Sequence, residues 1–159
     1  MRSPAWAVSA IALAVLVAGA GCGGDDEEIT TGDVSKQEFI AQADQICAEG
    51  DREIERAGRE YFGPGGGAGL EEGDEPTEDQ FVTFIEETVV PNIQGQLDDL
   101  RELEVPEADA DQIEELYDTA QDNLDELADD PGAFAGGDSN PFQEANRIAR
   151  DYGLEDCGS

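Results

Sequence analysis

Three cysteines and a large excess of carboxylates are the residues of this chain that could do chemistry. The cysteines are Cys22, Cys47 and Cys157, and the 159-residue sequence contains no histidine. The missing histidine excludes a Ser/His/Asp or Cys/His nucleophile. Zinc is a poor fit as well, because Cys47 and Cys157 cannot complete a thiolate set by themselves.

Carboxylate pairs are numerous but give no convergent site. The sequence has 40 Asp and Glu against 8 Lys and Arg. Neighbours such as Glu86 and Glu87 point about 100° apart on a helix, so they cannot share a proton or a metal. Carboxylates four residues apart, such as Asp111 and Glu115, could converge, but so acidic a chain contains several such spacings by chance. We therefore predict no catalytic residue, no metal and no cofactor, and expect that the protein is not an enzyme.

The first 21 residues are predicted to be a signal peptide. Met1 and Arg2 give a positive start, and the uncharged stretch AWAVSAIALAVLVAGA follows at 5–20. This stretch is shorter than the ~20 residues that a membrane-spanning helix needs, and small residues crowd toward its end. An uncleaved membrane anchor is the less favoured alternative.

Two cleavage sites fit the end of this segment. The AGA at 18–20 is an A-x-A site, which would release a secreted chain in which Cys22 is an ordinary residue. The GAGC at 19–22 resembles the lipobox of bacterial lipoproteins, in which the cysteine receives diacylglycerol and becomes the new amino terminus. The segment departs from the usual lipobox at its first position, where Gly19 replaces the leucine that is commonest in those proteins. The acidic, glycine-containing segment 22–34 favours the lipobox, because its composition makes a flexible tether for a membrane-held domain.

The cysteine count fits one disulfide once Cys22 carries lipid. Two cysteines then remain, an even number in an oxidising compartment. We expect a Cys47–Cys157 disulfide, which would close a loop of roughly 110 residues and stabilise the fold by up to about 4–5 kcal/mol. Two buried free cysteines are the alternative.

The net charge of −32 determines which partners the surface can take. Such a surface repels nucleic acid and anionic lipid headgroups, so we expect no nucleic-acid partner. It attracts divalent cations, basic peptides and cationic polymers. A solvated face that keeps the domain soluble is the simpler interpretation of the same charge.

The pattern of apolar residues predicts a first helix and a long loop. Ser35 and Glu38 have the spacing of a capping box, and apolar residues then recur at intervals of three and four to about Tyr61. Glycine and proline break the pattern, so we predict a flexible loop at about 62–76.

Three more helices follow in the sequence. The second helix starts at Thr77 or Glu78, is expected to kink at Pro91 and continues to 105–106. The third helix covers 107–130, and a short fourth helix starts at Pro141. No alternating run of strand length is present. The predicted fold of residues 35–159 is all-α: an antiparallel bundle of three long helices plus a short C-terminal helix, stapled by one disulfide.

The last residues of the chain are predicted to fold back on the bundle. Gly153 can take the left-handed conformation that ends a helix, and Leu154 can pack against that helix. The turn would bring the tail to the first helix. Asp44, which lies there, is expected to have a structural role through a hydrogen bond to a backbone group, or to Arg147 or Arg150 across the bundle. Binding of a ligand by Asp44 is the less favoured alternative.

Two segments resemble small, uncharacterised lipoproteins of high-GC actinobacteria. They are FIAQADQICAEG near the start and ANRIARDYGLEDCGS at the end. In those proteins a Phe-x-x-x-Ala-Asp-x-Ile-Cys helix and a Tyr-Gly-Leu-x-x-Cys tail recur around a variable helical middle. The resemblance implies a cell-surface helical module and brings no assigned activity.

Three functions from different classes fit the sequence. The favoured one is a non-catalytic lipoprotein, held by lipid on Cys22 at the extracytoplasmic face of the cell membrane, that binds or scaffolds an unidentified envelope protein. The alternative is a lipoprotein that binds cations or small cationic ligands through its acidic surface. The third is a hydrolase or lyase that uses carboxylates alone. Phe134, in a glycine-rich loop, either plugs the end of the bundle or contacts a partner.

Overall fold

The computed structural model describes residues 34–135 and 140–159. The predicted signal peptide, the tether up to residue 33 and Cys22 lie outside the described residues. Helix α1, Lys36–Phe62, begins at the predicted capping box. The Ser35 hydroxyl accepts a hydrogen bond from the Glu38 backbone N–H (3.3 Å), and the Glu38 carboxylate accepts one from the Ser35 backbone N–H (3.1 Å).

The glycine-rich loop that follows α1 is a series of turns. The Ala68 N–H donates to the Tyr61 carbonyl (2.9 Å), and the Gly65 N–H donates to the Leu70 carbonyl (3.3 Å). Gly65 and Gly69 have φ angles of 75° and 68°, a region that favours glycine. Leu70 is buried, although its isolated position in the sequence did not predict a core residue.

The second predicted helix is built in three consecutive pieces. These are α2 (Glu78–Phe84), a π-helical segment (Ile85–Val89) and α3 (Val90–Arg101). Thr77 caps α2 through a capping box with Gln80. Pro91 has no N–H, and its ring crowds the carbonyl four residues earlier, so the wider π turn just before it lets the helix continue.

The end of α3 differs from the prediction. The helix ends at Arg101 rather than near Val105, and Leu103 and Val105 pack against the core from a non-helical segment. The series of apolar, core-facing residues that begins in α3 therefore extends past the end of that helix. A 3₁₀ turn, Glu107–Asp109, then leads into α4, Ala110–Asp129, close to the predicted third helix.

The C-terminal part contains one helix that the sequence did not predict. The short helix α5, Gly132–Ala135, lies where a loop was expected, and the Asp130 carboxylate accepts a hydrogen bond from the Ala133 N–H at its start (3.3 Å). Helix α6, Gln143–Tyr152, starts two residues after the predicted Pro141. Gly153 ends it with φ 111° and ψ 12°, the left-handed conformation expected from the sequence.

Throughout the described ranges the secondary structure is helical, with no strand, which confirms the all-α class. The described residues form six α-helices, a π segment and a 3₁₀ turn, which are more pieces than the predicted four helices. The main core joins α1, α3, α4, α6 and the residues that follow α6. Its buried residues are Phe39, Ala43, Cys47, Leu100, Ile113, Leu116, Tyr117, Ala145, Ile148, Ala149, Tyr152 and Leu154.

Candidate functional site

The predicted disulfide joins α1 to the C-terminal tail. Cys47 and Cys157 are bonded at 1.99 Å, with 5.1 Å between their Cα atoms and 110 residues between them in sequence. Cys47 is buried on the core face of α1. The bond therefore fixes residues 153–159, which we call the tail, against the first helix.

Asp44 holds the same tail through its carboxylate. It accepts hydrogen bonds from the backbone N–H groups of Glu155 (3.2 Å), Asp156 (3.0 Å) and Cys157 (3.4 Å). The expected structural role of Asp44 is thus confirmed, and its partners are backbone groups rather than an arginine. Because Asp44 lies one turn before Cys47, the carboxylate and the disulfide act on the same stretch of tail.

The two arginines of α6 have separate roles. Arg147 forms ion pairs with Glu144 and Asp151 on its own helix, both at 2.7 Å. Arg150 donates a hydrogen bond to the Gly158 carbonyl. Only Arg150 therefore contributes to holding the tail.

Tyr152 connects the starts of α1 and α4 to the end of α6. Its hydroxyl donates to Asp109 (2.8 Å), and the Lys36 ammonium lies 3.7 Å from the centre of its ring. Phe39 meets the ring edge-on, with 5.9 Å between ring centres. Burial, followed by the contact with Asp109, raises the pKa of the Tyr152 hydroxyl, so the phenol stays protonated.

A cleft of about 200 Å³ lies among α1, α3, α4, α6 and the tail. The Cys47–Cys157 disulfide and Tyr117 are part of its lining. The Tyr117 hydroxyl donates to the Leu100 carbonyl (2.8 Å), which ties α4 to the end of α3 beside the cleft. Most of the other lining residues are apolar: Phe39, Ala43, Ile54, Ile93, Leu97, Leu100, Leu116, Ala120, Phe142, Ala145, Ala149 and Leu154.

Polar side chains line the rest of the cleft, and the charged ones are both acidic. Asp51 from α1 and Asp156 from the tail are the two charged residues of the lining. Partial burial raises the pKa of Asp51, and the charges of Asp156 and Glu55 raise it further, against a hydrogen bond with the Ser159 side chain. An apolar cavity with a few polar groups is the usual form of a small-molecule site.

The carboxylates that sequence spacing singled out lie elsewhere. Asp111 and Glu115 are exposed on α4, and neither lines the cleft. Glu86 and Glu87 are exposed in the π segment. Within residues 34–135 and 140–159, no group of three or more metal-ligating side chains could hold a metal ion.

Phe134 packs into the bundle, which is the first of the two roles predicted for it. It lies on α5 against the second core group, which consists of Leu97, Leu124 and Leu127. The aromatic side chain therefore plugs this part of the bundle.

Tyr117 and Gly50 are among the residues at or beside the cleft whose roles were not predicted from the sequence. The signal at Tyr117 was its residue type, because a tyrosine buried in a helix needs a hydrogen-bond partner. Gly50 is buried at a close approach of α1 and α3, where an added Cβ would overlap the Gln96 side chain. Its signal was a glycine inside a helical pattern, which often marks close packing.

The fold and the cleft define a disulfide-closed, all-helical domain with a largely apolar cleft that is open to solvent. Comparison with protein-family models, curated protein sequences and solved structures finds no match to this chain. None of the helices in the described part of the chain has the length and apolar character needed to cross a membrane.

Proposed function

We propose that this protein is a lipid-anchored, extracytoplasmic binding module that takes a small molecule into the cleft. The observation that carries the proposal is the cleft itself, with about 200 Å³ of space among core side chains. An apolar cavity of about 150 Å³ is known to stay dry and to bind benzene. The cleft therefore has room for one aromatic ring or a branched alkyl group.

The segments that resemble actinobacterial lipoproteins support this assignment, because they build one side of the cleft. The first contributes Phe39, Ala43 and Cys47, and the second contributes Leu154 and Cys157. We accordingly treat the chain as a member of that type of cell-surface module. We also propose that α2, the π segment and α3 act as one long helix, so that three long helices and α6 form an antiparallel bundle.

The proposal assigns binding rather than catalysis to this site. Apolar walls supply packing surface and the polar lining supplies orientation, which are the components of a binding pocket. The alternative is that the protein is a hydrolase or lyase that uses carboxylates alone. Conversion of the bound probe into a product during the experiment below would favour it.

Binding of 2-phenylethanol to the full chain tests the proposal. We expect saturable binding in a calorimetric titration, because the ring fits the apolar walls. Ala120→Leu, which adds a larger side chain to the lining, should weaken binding at least about tenfold. Ala128→Leu is the matched control, since Ala128 is exposed on the same helix and outside the cleft. It should bind the probe as the wild type does.

Two outcomes of this titration would contradict the proposal. One is the absence of saturable binding to the wild-type chain. The other is equal weakening by Ala120→Leu and Ala128→Leu, which would place the probe on the outer surface of α4.

The lipid anchor is tested separately at Cys22. Cys22→Ala should release the protein from membranes into the medium or leave it unprocessed, because the acylated cysteine is the proposed attachment point. Membrane fractionation and mass spectrometry of the intact protein measure both effects. An unchanged acylated mass in the variant would refute the lipobox.

A further inference from the structure

The charge along the lining of the cleft has one sign. Asp51 and Asp156 are its charged residues, and the other polar side chains there are neutral: Gln96, Asn140, Asn146 and Ser159. Neither carboxylate lies within ion-pairing distance of a basic side chain in the described ranges. Of the two arginines of α6, Arg147 is paired with Glu144 and Asp151, and Arg150 donates to the Gly158 carbonyl.

The disulfide keeps these two carboxylates together. Asp51 lies one helical turn after Cys47 on α1, and Asp156 immediately precedes Cys157 in the tail. The bond, with 5.1 Å between the two Cα atoms, therefore places both acids at one side of the cleft. Partial burial is the main cause of the raised pKa of Asp51, and the like charge of Asp156 raises that pKa further.

We infer that the cleft selects organic cations: small amphiphiles with an ammonium group and one ring or short alkyl chain. The inference rests on the proposed function and names its ligand class. The apolar part of such a molecule packs against the apolar wall on the Asp51 side of the cleft, which includes Leu97, while its ammonium lies between Asp51 and Asp156. The ligand then supplies the positive charge that this part of the lining lacks, and the net charge of −32 draws cations toward the protein.

A divalent metal ion fits the same carboxylates less well. Ca²⁺ takes six to eight oxygen ligands, usually from several carboxylates and carbonyls. Asp51 and Asp156 supply two carboxylates, and the walls behind them are apolar. The apolar volume would remain unused by a metal ion, whereas an amphiphile fills it.

Three probes that differ mainly in charge test the inference on the full chain. They are 2-phenylethylammonium, 2-phenylethanol and phenylacetate, compared by calorimetry at one ionic strength. We expect the ammonium to bind about tenfold more tightly than the alcohol, because each partly exposed ion pair contributes about threefold. Phenylacetate should bind more weakly than the alcohol.

Single carboxylate variants locate the selectivity. Asp51→Asn and Asp156→Asn should each reduce the preference for the ammonium to about threefold. Asp122→Asn is the matched control, because it removes the same charge from an exposed position on α4 outside the cleft. It should leave the preference at about tenfold. The neutral alcohol should bind the wild type and all three variants alike.

The outcomes separate this inference from the proposed function. Equal affinity for the ammonium and the alcohol would overturn the cation selectivity and leave the binding cleft in place. An equal loss in all three variants would overturn it as well, because the attraction would then come from the overall charge. Displacement of the ammonium by CaCl₂ but not by NaCl of matched ionic strength would assign the carboxylates to a metal instead. If none of the probes binds, both the inference and the proposed function fail.

Discussion

The two ends of α1 are stabilised by different kinds of interaction. Near its start, Phe39 and Ala43 are fully buried, and a disulfide and an aspartate attach the tail. Near its end, Tyr61 and Phe62 pack against aromatic rings of α2: ring centres are 5.5 Å apart for Tyr61–Phe84 and 5.0 Å for Phe62–Phe81. We call these regions the tail end and the aromatic end.

The difference shows that the disulfide and the Asp44 hydrogen bonds lie at one end of α1, and aromatic packing lies at the other. Aromatic pairs stabilise by about 0.5–1.5 kcal/mol beyond burial and tolerate small shifts in geometry. The tail end combines a covalent bond with backbone hydrogen bonds, which fix positions closely. The cleft and its two carboxylates lie beside the tail. Under the proposed function, the tail end is therefore the part of the molecule whose geometry would matter for binding.

Removal of the disulfide should have the largest effect on this contrast. Cys47→Ser combined with Cys157→Ser is expected to lower the free energy of unfolding by about 4 kcal/mol, because the lost cross-link constrains a loop of 110 residues in the unfolded chain. Urea unfolding measures the change. Hydrogen exchange should show that the amides of α6 lose more protection than those of α2.

Equal loss of protection at both ends would contradict the comparison. Such a result would mean that the disulfide acts only by constraining the unfolded chain and does not restrict local opening of the tail and α6. A loss below about 1 kcal/mol would show that the tail is held mainly by its non-covalent contacts.

Asp44→Ala should have an intermediate effect at the tail end. The substitution removes the acceptor of three backbone N–H groups, which are partly open to water, so we expect a loss of about 2 kcal/mol. Gln45→Ala is the matched control, since Gln45 is an exposed neighbour on the same helix. Thermal unfolding of the two variants gives the comparison, and equal stability would show that the disulfide alone positions the tail.

Local features of this fold could be predicted from the sequence because short-range rules decide them. The capping box at Ser35 and the left-handed Gly153 depend on neighbouring residues. The disulfide followed from counting cysteines. Asp44 was placed correctly because a carboxylate on the first helix, one turn before Cys47, had to face the returning tail.

Features that depend on packing among several helices could not be predicted. The cleft is the space left by five elements, and no sequence pattern records such a volume. The early end of α3 was missed because Leu103 and Val105 continue its hydrophobic stripe in a non-helical segment. Asp51 was missed because it lines the cleft together with Asp156 only once the tail has folded back against α1.

The smallest predicted effect compares a tyrosine at each end. Tyr117→Phe removes the hydrogen bond to the Leu100 carbonyl beside the cleft and should cost about 1 kcal/mol at neutral pH. Tyr61→Phe is the counterpart at the aromatic end, where no hydrogen bond of the Tyr61 hydroxyl is found among the described residues. That variant should change stability by less than about 0.5 kcal/mol.

The pH dependence of Tyr117→Phe sharpens the same comparison. Burial raises the pKa of Tyr117 to about 12, with the charge of Arg101 opposing, whereas an unfolded tyrosine titrates near 10. The stability from the neutral phenol is therefore complete below about pH 10 and is lost as the pH rises through about 12. Urea unfolding between pH 9 and about 11.5 should show a shallower decline in Tyr117→Phe than in the wild type. Part of the decline should remain, since the pKa of Tyr152 is raised as well. Equal slopes would mean that the Tyr117 hydroxyl reaches water, and the hydrogen bond that ties α4 to α3 would then be too weak to shape the cleft.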